Sequence, residues 1–152
     1  MIKISINKQI LEYYKNNELI DSYSISSAKN GIGEKNNSFC TPSGKHRIHN
    51  KIGEGLACNS VFVARKFTGE IYSSKLFKKY PNRDWILTRI IWLEGIENHN
   101  KNTLNRYIYI HGSPDEVQMG VPGSKGCIRM NNEDIIKLFN KVKINENVII
   151  NL

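Results

Sequence analysis

The chain has 152 residues, 39% apolar and 24% charged, and its 22 Lys and Arg against 14 Asp and Glu give a formal charge of +8. That length predicts one domain, spanning residues 1–152, with a core of its own. The composition is too apolar for a disordered chain, and no apolar run approaches the ~20 residues of a membrane-spanning helix. The lysines are scattered, with Lys78-Lys79 the densest pair, and no basic stripe interleaves with aromatics, so the charge does not point to nucleic acid.

Ile2, Ile4 and Ile6 alternate with polar residues, which predicts a strand facing a core rather than the continuous apolar stretch of a secretory signal. The chain is therefore expected to be cytoplasmic, or to have lost an export signal. Asn7-Lys8 and Asn16-Asn17 suit turns that link this strand to Gln9–Lys15 and Glu18–Ser26. Residues 28–44, ending in Thr41-Pro42-Ser43-Gly44, read as loop. Strands are predicted at Lys45–His49 and Val61–Phe67, and a short helical turn at Leu76–Tyr80. Ile86–Leu93 and Arg106–His111, apolar and β-branched or aromatic, read as central strands.

Glycines 112, 120, 123 and 126 and two prolines make 112–126 a loop. The convincing helix follows it. Asn131 or Asn132 can cap it, Glu133 and Asp134 suit its N-terminal dipole, and Ile135, Ile136, Leu138, Phe139 and Val142 repeat at helical spacing. Val148–Asn151 is the last strand. The pattern is a β-rich domain with one main helix packed on it.

Chemistry concentrates between residues 110 and 130. His111 ends an apolar strand, and Cys127 follows 16 residues later behind Gly126. A loop that returns on itself can bring imidazole and thiol together, so that His withdraws the proton and the thiolate attacks a carbonyl. Gly126 lets backbone approach a substrate, and the amides of Gly126 and Cys127 can face a developing oxyanion. The spacing alone equally fits a buried packing cysteine and a structural histidine. Cys40, His46, His49 and Cys58 follow a C-x5-H-x2-H-x8-C spacing that matches no compact zinc site. His99 lies in a polar Asn-rich loop, where solvation is its expected role. Trp85, Trp92, Tyr107 and Tyr109 are expected in the core or on groove walls.

The local words around the pair are more specific. His111-Gly112, then Ser124-Lys125-Gly126-Cys127-Ile128-Arg129-Met130, resembles the catalytic motif of the L,D-transpeptidase (YkuD-type) family. The opening hairpin, the Thr41–Lys45 loop and Glu94-Gly95 running into Arg106–Gly112 extend the resemblance over nearly the whole chain. The family often has His where Lys125 stands. Lysine, with an ordinary pKa of ~10.4, cannot act as a base at neutral pH, although a nearby cation favours a thiolate.

The resemblance implies a mainly β fold, a sandwich or cradle of mixed sheets with one main helix. It implies peptidoglycan stem peptides as substrate, Cys127 as nucleophile and His111 as base, with the Gly112 carbonyl orienting the imidazole. Ser124, Lys125 and Arg129 are expected at the substrate. No metal, cofactor or membrane span is called for, and a monomer at the cell envelope is expected. Two alternatives stay open: a carboxypeptidase that hydrolyses the same thioester, and a basic domain that only binds wall polymer. An activated Cys127 is expected to be alkylated at lower pH than Cys40 and Cys58.

Overall fold

Alternating apolar residues build the first hairpin. In a computed structural model, which describes residues 1–152, β1 (Ile2–Ser5) pairs antiparallel with β2 (Ile10–Lys15), and β2 with β3 (Glu18–Ser24). Asn16 and Asn17 take φ of 51° and 63°, which asparagine tolerates better than most residues, so the chain reverses in two residues. The turn lets Leu11, Tyr13 and Tyr23 join Ile2 and Ile4 in the core.

The sheet then grows through its C-terminal strand. β10 (Asn147–Asn151) runs parallel to β1, and β4 (Gly44–Ile52) runs antiparallel to β10. The hub is β7 (Ile86–Gly95). One edge carries β4 and, beyond it, β5 (Ser60–Val63); the other carries β8 (Tyr109–Ser113). β9 (Ile128–Asn131) lies parallel to β8. Ser26, just past β3, exchanges two 2.9 Å backbone hydrogen bonds with Arg129 of β9. The two ends of the path therefore meet, and one mixed sheet curls around the core instead of forming two stacked sheets. The main helix, α2 (Asn132–Lys141), packs on β7, β8 and β9 with Ile135, Leu138 and Phe139 buried. The shorter α1 (Ser74–Lys79) buries none of its residues. No helix is long and apolar enough to cross a membrane.

The structure departs from the sequence reading at three places that matter for the site. Val61–Phe67 is two strands, β5 and β6 (Lys66–Ile71), joined by Ala64 and Arg65 at φ 48° and 65°. Neither residue is a usual turn former, so the hairpin carries no sequence signal. The strand expected at Arg106–His111 starts only at Tyr109, because Tyr107 sits at φ 56° and breaks the extended run. β9 was not expected at all. Four residues are too few for periodicity to register, although Ile128 and Met130 both point into the core.

Ile110 is fully buried on β8, directly behind the cavity described below. Ile110→Ala should cost about 2–5 kcal/mol of folding stability. Chemical denaturation of both proteins checks this; a loss well under 1 kcal/mol means that β8 is not central to the core.

Candidate active site

Parity on two neighbouring strands assembles the site. In the β8–β9 register Ile110 faces Ile128 and His111 faces Arg129. Both isoleucines are fully buried, so they own the core side. Side chains alternate along a strand, hence Tyr109, His111 and Arg129 share the opposite face, and Cys127, one residue before β9, falls next to Tyr109. All four line one cavity of about 510 Å³.

Cys127 is half-buried and held at both ends of its S–H group. Its Sγ accepts from the Tyr109 amide at 3.3 Å and donates to the Tyr107 carbonyl at 3.4 Å. The left-handed turn at Tyr107 is what aims that carbonyl at the thiol. Burial pushes the thiol pKa up to about 12, and Asp84 adds to the rise, while the Tyr109 amide, Arg129 and Arg106 oppose it.

His111 is buried, and its Nδ1–H donates to the Gly112 carbonyl at 2.7 Å. That bond fixes the tautomer with the proton on Nδ1, which leaves Nε2 an acceptor with no protein partner. Burial pushes the imidazole pKa down; the Gly112 bond and Asp84 act against it, and Arg129 acts with it. Both shifts favour a neutral thiol and a neutral imidazole over an ion pair at rest. These directions run against the expectation of an easily alkylated Cys127.

The loop before Cys127 is tied from within. Ser124 Oγ accepts from the Gly126 amide at 3.1 Å and donates to the Cys127 carbonyl at 2.5 Å. Thr41 Oγ1 donates to the Gly126 carbonyl at 2.9 Å. Gly126 sits at φ +132°, and a Cβ there would press on Ile108 and the Cys40 carbonyl, so only glycine fits. The Gly126 amide, expected to face a developing oxyanion, is instead bonded to Ser124 in this structure. The Cys127 amide has no acceptor in the protein and is an uncommitted donor beside the thiol.

Gly112 is constrained differently. A Cβ would lie 2.6 Å from both Asn132 Oδ1 and the Leu87 carbonyl. Beneath it Thr88 Oγ1 donates to Asn132 Oδ1 at 2.6 Å and accepts from the Asn59 amide at 3.0 Å. Thr88 is a β-branched residue at φ 73°, in a bulge of β7, a conformation that costs about 1–3 kcal/mol. The network fills the space beside Gly112, whose carbonyl orients His111. Of the two candidate caps, Asn131 takes the N-cap position, without a side-chain bond, and Asn132 is buried in this network.

The remaining candidates separate. Arg129 donates to the Gly123 carbonyl at 3.1 Å and lies 3.7 Å from Asp84. Lys125 is exposed on the rim, and the cations acting on the thiol are Arg129 and Arg106 rather than Lys125. Cys40, His46, His49 and Cys58 form no ligand group. His46 is buried against the Gly44 carbonyl and Thr103, His49 stacks edge-on to Trp92, and Cys58 is exposed. Tyr107 and Tyr109 are cavity walls and Trp85 is buried in a small cluster of its own. Sequence reasoning missed Arg65, Asp84 and Arg106 in the lining. Each lies in a turn or an irregular segment where no periodicity marks a facing side.

The L,D-transpeptidase catalytic domain (YkuD) profile matches residues 1–150. The chain belongs to this family. Solved structures agree on the fold. An Enterococcus faecium L,D-transpeptidase C442S mutant superposes with a TM-score of 0.62 at 19% identity, over 99% of this chain and 48% of its own. A Mycobacterium smegmatis L,D-transpeptidase gives 0.61 at 14%, over 99% and 58%. L,D-transpeptidase 3 of Mycobacterium tuberculosis, with a faropenem-derived adduct, gives 0.63 at 16%, over 99% and 59%. The chain thus spans about half to three-fifths of the length of these structures. No curated protein matches the sequence.

Within this L,D-transpeptidase domain the neutral pair has a consequence for labelling. At about pH 7.5 iodoacetamide should modify exposed Cys58 ahead of Cys127, since alkylation follows thiolate character and access. Peptide mapping over time reads the order. Faster labelling of Cys127 would mean that thiolate and imidazolium already form at rest.

Proposed function

We propose that this domain is a peptidoglycan L,D-transpeptidase that works through a thioester on Cys127. The donor is a stem tetrapeptide, attacked at the carbonyl between its third residue, typically diaminopimelate, and the terminal D-Ala. The observation that carries the reading is the free Nε2 of His111, fixed by the Gly112 carbonyl, on the same cavity face as the Cys127 thiol.

As the thiol approaches the carbonyl carbon, its proton passes to His111 Nε2 and sulfur forms the C–S bond. The carbonyl oxygen takes the negative charge, and the Cys127 amide is the donor at hand for it. Collapse of the adduct breaks the C–N bond. His111 gives its proton to the departing amine, and D-Ala leaves. An acceptor amine then attacks the thioester, loses a proton to His111 and forms the new amide, while the thiol is restored. An amine on a second stem gives a 3→3 cross-link; a free D-amino acid gives exchange.

Proton transfer to a neutral imidazole suits this sequence, because neither partner carries a stable charge before attack. Ser124 acts by holding Gly126 and Cys127 in place, and Arg129 by pairing with Asp84 beside the loop. The Mycobacterium tuberculosis relative carries a faropenem-derived adduct, and another related structure is a complex with imipenem. A thiolate that opens a lactam ring is the same chemistry with a ring nitrogen as leaving group.

The test is incubation with tetrapeptide muropeptides and an amine acceptor, with products identified by mass spectrometry. The expected result is D-Ala release with a new amide bond, abolished in Cys127→Ala and slowed about 10²–10⁴-fold in His111→Ala. Tripeptide as the sole product would make the domain a carboxypeptidase. Binding without any product would leave only a wall-binding role.

A further inference from the structure

The cavity holds more positive charge than the thioester chemistry uses. Arg65, Arg106, Lys125 and Arg129 line it against one carboxylate, Asp84. Two of the arginines are occupied. Arg129 is bound to Gly123 and faces Asp84. Arg106 donates to the Gly33 carbonyl at 3.1 Å, the Cys40 carbonyl at 2.7 Å and Ser38 Oγ at 3.3 Å, and so pins the 28–44 loop.

Arg65 is different. Its guanidinium lies 4.9 Å from the Trp92 ring centroid and 4.6 Å from that of Tyr107. It makes one hydrogen bond, to Tyr109 Oη at 3.0 Å, and no salt bridge. A guanidinium has five N–H donors, so stacking fixes the group while most of its donors stay uncommitted.

The backbone is bent to put it there. A turn with φ 48° and 65° at its two central residues favours Asn-Gly, yet Ala64 and Arg65 occupy it. A strained turn at the rim of the cavity points to a use for the side chain it carries. Tyr109 ties that side chain to the nucleophile. Its amide donates to Cys127 Sγ and its hydroxyl accepts from Arg65. Tyr109 therefore contacts both the Arg65 guanidinium and the Cys127 sulfur.

We propose that Arg65 binds the C-terminal carboxylate of the peptide donor and makes the site selective for donors that end one residue past the attacked carbonyl. This rests on the transpeptidase reading for the identity of the donor. In such a peptide the terminal carboxylate is the anion closest to the scissile bond, and its planar shape matches the guanidinium fork. The carboxylate on the diaminopimelate side chain lies at the far end of that chain.

The test separates binding from turnover. The inert Cys127→Ala protein is titrated by NMR with the stem tetrapeptide and with its C-terminal carboxamide. The acid should bind at least about tenfold more tightly than the amide, the scale of a charge-assisted pair. Arg65→Gln should remove that preference, and Arg65→Lys should keep part of it. The double variant Ala64→Asn/Arg65→Gly relaxes the turn, so its Tm should equal or exceed that of the parent while the preference is still lost. Equal binding of acid and amide, no binding of either, or an acid preference that survives Arg65→Gln overturns the proposal. Turnover by the protein with Cys127 intact reports on the chemistry independently. Turnover without acid preference removes the role of Arg65 alone. Acid preference without turnover removes the transpeptidase reading and leaves a carboxylate site.

Discussion

The parallel register of β8 against β9 is the constraint on which the site depends. Ile110 and Ile128 pair and face the core. With those two fixed inward, His111, Tyr109 and Arg129 must face the cavity, and Cys127 must enter beside Tyr109. A slip of one residue would send the neighbours of Cys127 into the core and the isoleucines into solvent. Burial of β-branched side chains on one face therefore specifies the chemistry on the other. Ser26 locks the far edge of β9, and α2 covers the sheet behind it, so the register is held from two sides.

The same frame sets the electrostatics. Enclosure disfavours both the thiolate and the imidazolium, which favours a neutral resting pair; in the proposed mechanism the charge appears only as sulfur attacks. Orientation then matters more than acidity. Gly112 supplies the carbonyl for Nδ1, and the Thr88–Asn132 network closes the space around Gly112 to hydrogen only. Two of the strained backbone points, Thr88 and Tyr107, lie beside the groups that face His111 and Cys127. Folding elsewhere offsets that cost.

Much of this was legible in the sequence. Alternation in Ile2–Ile6 and the apolar run of Ile86–Leu93 gave their strands because burial on one or both faces imposes a period that composition displays. The pairing of His111 with Cys127 was legible through local words, His-Gly and Gly-Cys-Ile-Arg, whose glycines serve geometric needs found in the structure. The illegible parts share a cause. Arg65 and Arg106 reach the cavity through backbone turns at Ala64-Arg65 and Tyr107, residues with no turn preference. The commitment of the Gly126 amide to Ser124 depends on a loop path that spacing cannot specify. The pKa directions follow from burial, which a loop cysteine does not announce.

The most direct measurement is the single-turnover rate at which imipenem acylates Cys127, followed across pH. A neutral pair predicts a rate that falls in acid as His111 is protonated, with its midpoint below the imidazole's ordinary pKa of ~6.5. Above that midpoint the rate should stay level through the neutral and mildly alkaline range, because the thiol is not yet ionised. A rate that instead climbs about tenfold per pH unit through neutrality would mean that free thiolate attacks without His111, and would contradict the account.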